Sequence, residues 1–471
     1  MLSEWTVADI LSASGGKLLC GSPAIHINGI SIDSRTMVRD ACFIAIKGDR
    51  YDGHDFIPGA LNAGALAIIA SDIPNQEVIK RENAIAYIKV ADTKKALGQL
   101  ALWRRDKAGI PVVAITGTNG KTTTKNMTQA VLNQYLSALA TAGNQNNQIG
   151  VPLTLLRLEG FHKVAILEFG TNTPGEIKEL SNIARPNVGV ITNIGRGHLE
   201  RLSTIDGIMK EKGDLFASLP QDGVAIVNMD DPRTRTLGAS HHGQTITCGI
   251  ENKSAHVTAK DIRSNGEGHF FMLSTPAGKI EVRLSLPGRF NISNALSAAS
   301  VGHYFNVPLE MIRDGLEQIR PAALRMQLIR LNTGIMVIND TYNANPESML
   351  SALETLFFLK GKGDGVAALG DMLELGDHAN KAHYEIGETT VRYSLTHLFT
   401  VGRLADYIAQ GAMNGGMQRE RITSGMHEEV LELLKSSLKT GDWVLVKGSR
   451  GMAMERIVEG LIKAFGIENK A

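Results

Sequence analysis

Short apolar runs alternate along this chain with segments whose apolar residues recur at helical spacing. In Asp92 to Lys107, Ala96, Leu97, Leu100 and Trp103 share one face, which predicts a helix with one buried side. Gly109-Ile110-Pro111 breaks it. Val112 to Ile115 then predicts a short buried strand, followed by a glycine-containing loop and a helix from about Thr122. Val164 to Leu167 and Val188 to Ile191 predict two more strands, running into Glu168 and Thr192-Asn193 respectively. Upstream, short strands and helices mix around Asp33-Ser34-Arg35 and Phe43 to Gly48, and Ala60 to Ala70 reads as helix end, glycine turn and strand. Residues 254–286 hold short strand-like segments, which predicts a β insertion or sheet edge.

From about Pro321 the alternation resumes, with strands at 335–339, 365–369, 397–401 and Trp443 to Val446, and helices at 346–359 and 381–392. No Gly-rich dinucleotide fingerprint follows the first of these strands. Strands alternating with helices build mainly parallel sheets, with ligands at the carboxyl ends of the strands. The length, 471 residues, suits about three domains at roughly 150 residues each. We therefore expect an α/β chain of three domains. A small N-terminal α/β domain would span 1–91, a central phosphate-loop domain with a mainly parallel sheet 92–320, and a Rossmann-like doubly wound domain 321–471.

Composition narrows the partners. The 49 basic and 48 acidic residues nearly cancel, which argues against a general nucleic-acid binder. The three cysteines, Cys20, Cys42 and Cys248, are widely spaced and form no disulfide or metal pattern. Met1-Leu2-Ser3-Glu4-Trp5 lacks the start of a signal peptide, and no apolar run approaches the roughly 20 residues that span a bilayer. We expect a cytoplasmic protein that binds neither membrane nor nucleic acid.

The chemistry centres on Thr116-Gly117-Thr118-Asn119-Gly120-Lys121-Thr122-Thr123. Backbone N–H groups of a glycine loop converge with a helix N-terminus on an anion, a lysine reaches the outer phosphates, and a hydroxyl holds Mg²⁺. The common spacing would put a first glycine at Ile115, so the match is to a shortened form. A chance Gly-Lys-Thr turn is the bland reading, and the strand before it and helix after it weigh against that. The loop alone does not say whether ATP is hydrolysed, switched upon or used for ligation.

The shortened loop resembles that of the Mur ligase superfamily, ATP-dependent amide ligases. Further segments are similar to the family in order along nearly the whole chain. They are Asn144-Gln145-Asn146-Asn147-Gln148-Ile149-Gly150-Val151-Pro152, Glu168-Phe169-Gly170, Thr192-Asn193-Ile194-Gly195 on to His198-Leu199-Glu200, and Asn291-Ile292-Ser293-Asn294-Ala295. Asn339 to Pro346, Leu369 to Gly376 and Val446 to Gly451 complete the set, and Tyr342-Asn343-Ala344-Asn345-Pro346 is the most specific segment. It points to members that join D-alanyl-D-alanine to a UDP-N-acetylmuramoyl-tripeptide. There are departures: Arg196-Gly197 stands where the family often has Pro-Ala, Arg289-Phe290 where a histidine usually precedes Asn291, and Ala323-Leu324 where a glycine commonly precedes Arg325.

The resemblance implies a site residue by residue. Gly117, Thr118, Asn119, Gly120, Lys121, Thr122, Thr123 and Asn291 would hold ATP, with Arg325 on the phosphates and Asp340 toward the ribose. Lys121, Glu168, His198 and Lys212 would be the catalytic set. Thr122 and Glu168 would serve one Mg²⁺ and His198 a second, since phosphoryl transfer to a carboxylate brings anions together. Lys212, on a helix from about Thr204, reads from sequence alone as a solvated lysine. The resemblance instead implies a lysine carbamylated by CO₂, a metal-binding anion, with Lys210 the competing candidate. Ser34, Arg35 and Lys47 match positions that bind the UDP end, Asn144 and Asn147 those near the muramoyl peptide, and Tyr342, Asn343 and Asn345 those near the incoming dipeptide. A monomer is expected, and no residue offers itself as general base for the amine. Rival readings are another ligase of the superfamily, such as a folylpolyglutamate synthase, and a phosphate-loop switch or scaffold protein.

Overall fold

The computed structural model describes residues 5–48, 50–72 and 84–468; Met1 to Glu4, on which the reading of the N-terminal start rests, lie outside them. Strands gather into three principal sheets. The first has five strands between Lys17 and Lys89, parallel except where Lys17–Cys20 pairs antiparallel with Ala86–Lys89. The helix Thr93–Ala108 follows, capped by Asp92, whose carboxylate accepts the Lys95 N–H at 3.0 Å, and closed by Gly109 in the left-handed region. That is where the Gly-Ile-Pro break falls.

The second sheet has nine strands. Ala138–Ala140, Val164–Glu168, Val112–Thr116, Val188–Ile191, Val224–Asn228 and Gln244–Gly249 run parallel in that spatial order. Val257–Ser264, His269–Thr275 and Gly278–Leu284 extend it as an edge, antiparallel to one another, which is the β edge expected from residues 254–286. Sheets covered on both faces carry continuous apolar strands, and both faces here are covered. Val113, Ile115, Ile166 and Val190 pack toward the helices Lys121–Leu132 and Phe290–Tyr304. Ala114, Leu167 and Ile191 pack toward Glu176–Ala184 and Ile205–Ala217. Three strands of this sheet were not among those expected: Ala138–Ala140 is too short to stand out, Gln244–Gly249 is largely polar, and Val224–Asn228 carries an apolar run as readable as its neighbours.

The third sheet has six strands, with Trp443–Lys447 inserted between Met336–Asp340 and Gly365–Gly370. Only Gln327–Arg330 is antiparallel. This is the doubly wound arrangement expected. The last strand of the chain thus lies at the centre, and the strand ends Asp340, Lys447 and Gly370 meet where the order reverses, the usual place for a ligand crevice. Among the described residues no helix is long and apolar enough to cross a membrane.

Candidate active site

A cleft of about 540 Å³ opens between the second and third sheets. Its floor is the phosphate loop. Gly117 (φ 146°) and Gly120 (φ 82°) have backbones that favour glycine, and space demands it too. A Cβ at Gly117 would stand 1.9 Å from the Thr192 hydroxyl, and one at Gly120 2.3 Å from Asn294 Oδ1. The loop is held from the side by the next strand's end. The Asn119 N–H donates to Asn193 Oδ1 at 3.0 Å, Asn193 Nδ2 returns a bond to the Asn119 carbonyl at 3.0 Å, and the Thr192 hydroxyl donates to the same carbonyl at 2.6 Å. Lys121 opens the helix, and its ammonium donates to the carbonyls of Gly117 (2.8 Å) and Thr118 (3.2 Å). Burial lowers its pKa, opposed by nearby Glu168 and assisted by Arg325, so these three side chains share one field.

Glu168 ends the neighbouring strand and is 2% exposed. Its Oε1 accepts from Asn146 Nδ2 at 2.9 Å, while Oε2 is buried with no partner. An unpaired buried carboxylate oxygen is costly, and a cation is what would relieve it. No cluster of three or more His, Cys, Asp or Glu suited to a metal occurs among the described residues. Metal binding would therefore lean on Glu168, the Thr122 hydroxyl in the same cleft, substrate oxygens and water. His198 also lines the cleft; its backbone is left-handed (φ 60°), and Nδ1 lies 2.6 Å from Glu374 Oε2 across the boundary with the third sheet. That hydrogen bond holds the Glu374 carboxyl below its ordinary pKa.

Lys212 does not line the cleft. It is 1% exposed, on a helix capped by Thr204, whereas Lys210 is exposed. Burial pushes its amine well below the usual lysine range, repulsion from Lys121 lowers it further, and Glu211 only partly offsets this. Glu211 is buried too, accepting from the Thr171 hydroxyl and the N–H groups of Gly175 and Ile177 at 2.6–3.0 Å.

Across the cleft, the Arg325 guanidinium stacks on the Tyr342 ring, 3.7 Å from its centroid. Asp340 accepts from Lys447 Nζ at 2.5 Å and from the Met326 N–H at 3.1 Å, and Lys447 also donates to the Asn343 carbonyl. Asn291 lines the cleft, yet its amide donates to the Pro287 carbonyl and accepts from Asn294. Asn345 caps the helix Pro346–Lys360 and exchanges two amide hydrogen bonds with Asn119 of the phosphate loop. Asn343 Oδ1 accepts the Ala344 N–H. Asn147 lines the cleft, its Oδ1 accepting the N–H groups of Ile149 and Gly150, while Asn144 is exposed and does not line it. Ser34, Arg35 and Lys47 are not brought to the cleft. They sit with the first sheet, where the Arg35 guanidinium makes two hydrogen bonds to Asp33 and its backbone N–H a third, drawing that carboxyl down to about 2, and Lys47 lies 3.6 Å from Asp52. The sequence reading passed over Asn146, Asn294, Lys447 and Glu374. All four lie in segments that resemble the family, and Lys447 carried a further signal, a lysine at the carboxyl end of an apolar strand.

A phosphate loop, a buried carboxylate beside it and a second doubly wound sheet closing the cleft define a phosphate-loop α/β enzyme whose chemistry is assembled between two units. Three family patterns match in sequence order: the catalytic domain of the Mur ligase family over 26–105, the Mur ligase middle domain over 115–302, and the Mur ligase glutamate ligase domain over 324–450. The UDP-N-acetylmuramoyl-tripeptide–D-alanyl-D-alanine ligase of Bacillus subtilis is 37% identical over 442 residues, 93% of this chain and 94% of its own. A crystal structure of MurF from Acinetobacter baumannii superposes with a TM-score of 0.89 at 34% identity, covering 98% of this chain and 99% of that one. MurF ligase from Thermotoga maritima in complex with ADP superposes with a TM-score of 0.82 at 27% identity, over 94% and 98%. The chain belongs to the Mur ligase family and is an ATP-dependent amide ligase.

Proposed function

We propose that this ligase adds D-alanyl-D-alanine to a UDP-N-acetylmuramoyl-tripeptide, giving the pentapeptide precursor of peptidoglycan, as a cytoplasmic monomer of three domains over 1–91, 92–320 and 321–471. The observation that carries this reading is identity along the whole chain to a ligase of that name. The phosphate loop, Glu168, Arg325 and Tyr342 also line one cleft. A folate ligase or a nucleotide switch has no such support.

The tripeptide carboxylate attacks the γ-phosphorus of ATP, and ADP leaves with the bond between the β,γ-bridging oxygen and phosphorus broken. The amine of the dipeptide then attacks the acyl phosphate carbon, and the tetrahedral intermediate expels phosphate. Lys121 stabilises charge on the transferring group, at present hydrogen-bonded to its own loop and able to turn to phosphate oxygens. Arg325 faces the same charge and is oriented by Tyr342. Bound Mg²⁺ supplies Lewis-acid neutralisation of the phosphates. Thr122 and Glu168 would hold one ion and His198 a second, and a carbamylated Lys212 would supply a further metal-binding anion. The unpartnered Glu168 oxygen fits this role. So does the carboxylate behind His198, because metal-binding histidines commonly donate their other ring N–H to one. Carbamylation needs a neutral amine, which the burial of Lys212 beside Lys121 favours. Ser34, Arg35 and Lys47 would bind the UDP end, Asn144 and Asn147 the muramoyl peptide, and Tyr342, Asn343 and Asn345 the dipeptide. Asn291 would flank the nucleotide and Asp340 its ribose. Closure of the third unit keeps water from the acyl phosphate.

Competition tests the reading. With UDP-muramoyl-tripeptide and ATP, D-Ala-D-Ala should be ligated over D-Ala, L-Ala or glutamate by orders of magnitude in kcat/KM, read by mass. A lone amino acid leaves peptide-binding groups unpaired, at about 1–3 kcal/mol each. Equal ligation of glutamate or single alanine would reject this substrate assignment.

A further inference from the structure

The boundary between the second and third sheets carries a three-membered ion-pair network centred on Arg196, in the loop between the strand Val188–Ile191 and His198. Its Nε lies 3.0 Å from Glu347 Oε1 and its Nη1 3.0 Å from Glu385 Oε2, while its backbone N–H donates to Glu347 Oε2 at 2.9 Å. Glu347 stands in the first turn of the helix Pro346–Lys360, beside Asn345, whose amide grips Asn119 of the phosphate loop. Glu385 comes from the next helix, Ala379–Arg392, so one guanidinium ties two elements of the third unit to the loop that scaffolds the nucleotide site. Flanking residues are fitted to the contact. A Cβ at Gly195 would stand 3.0 Å from the Glu347 carboxyl, and one at Gly197 2.9 Å from Thr118 Cγ2. A proline at position 196 would have no N–H to give Glu347.

We propose that Arg196, Glu347 and Glu385 form an electrostatic latch that holds the third unit closed over the nucleotide cleft, making Arg196 a positioning residue for the ligase reaction. The inference rests on the reading that this cleft binds nucleotide. The three side chains are 36–38% exposed, so each pair is screened by salt and contributes about two- to fivefold. Two pairs broken together should favour the open form by about four- to twenty-five-fold. Among the described residues, Lys381 also pairs with this network, 4.0 Å from Glu385, but it lies on the same helix as Glu385 and does not cross the boundary.

The test uses the full chain. R196Q should raise KM for ATP about four- to twenty-five-fold at low salt, leave kcat within about threefold once ATP saturates, and enlarge the radius of gyration in small-angle scattering. Added salt should raise the wild-type KM and radius toward those of R196Q, whose own values should change little. R196K, which can meet one carboxylate at a time, should fall between. In an E347Q/E385Q background R196Q should add nothing further, since the interaction is already gone. E385Q, on a half-exposed helix face, gives the same comparison should R196Q fold poorly. Direct ADP titration of the wild type separates the two readings. If ADP does not bind, the nucleotide assignment of the cleft falls. If it binds and R196Q and E385Q match wild type in salt dependence and radius, the latch is overturned. Full additivity of the three substitutions overturns it as well.

Discussion

Lys121→Ala should separate catalysis from stability. The lysine side chain is half-buried on the cleft wall, and its ammonium donates to the carbonyls of Gly117 and Thr118. Removing one electrostatic partner of a transferring charge typically costs on the order of 10²–10³ in rate, or ~3–4 kcal/mol of barrier. Stability responds differently. Two charge-assisted hydrogen bonds are lost, each worth about 1.5–3 kcal/mol, but so is the desolvation penalty that lowers this lysine's pKa. Lys121 itself lines the cleft, so water entering from there can take the place of the ammonium. The terms oppose, so the net change should stay within ~1 kcal/mol, a melting shift of about 2–4 °C for a unit of this size. The assay is ADP release under single-turnover conditions with UDP-muramoyl-tripeptide and D-Ala-D-Ala, alongside calorimetric melting. Turnover within a few-fold of wild type in a variant with unchanged melting would refute the role of the loop lysine. A fall in melting of ten degrees or more would refute the argument that its hydrogen bonds and its desolvation cancel.

Lys212→Ala should be inactive for want of an anion, with acetate or formate restoring part of its turnover and none to Lys121→Ala; a fully active Lys212→Arg would sink the carbamate. Glu168→Gln should bind metal-free nucleotide normally by calorimetry, yet need at least about tenfold more Mg²⁺ for half-maximal rate, because the unpartnered oxygen loses its charge; an unchanged Mg²⁺ titration would remove Glu168 from the metal site. Lys447→Met leaves Asp340, 14% exposed at its side chain, without its buried partner, and should destabilise the chain by about 3–5 kcal/mol. Lys447→Met/Asp340→Asn should recover part of that in urea unfolding, and a single-variant loss under ~1 kcal/mol would show the pair to be solvated.

Contiguous features were legible without coordinates. Strand, glycine loop, lysine and helix N-terminus follow one another within Val112 to Leu132, so local backbone chemistry and a repeating apolar pattern were enough to find the phosphate site and the α/β class. Glu168 was legible for a related reason: a polar residue ending an apolar strand of a parallel sheet emerges at the ligand edge; Asp340 entered only through the family resemblance. The burial of Lys212 was not legible: its spacing before Leu215-Phe216 favoured it over Lys210, but only packing shows that it is buried and Lys210 exposed. Nor was Asn146, chosen over its neighbours Asn144 and Asn147 by a loop bend that turns it onto Glu168.

By itself, then, the sequence determined the elements, their alternation and the nucleotide loop, since these depend on neighbours within a few turns. Tertiary structure alone decided which partners meet across long separations: Lys447 with Asp340, His198 with Glu374, and Arg196 with Glu347 and Glu385. It also kept Ser34, Arg35 and Lys47 with the first sheet, away from the cleft. The physical reason is that a hydrogen bond or ion pair depends on distance in space, and sheet order, with the last strand of the chain inserted at the centre, sets that distance without regard to separation along the chain.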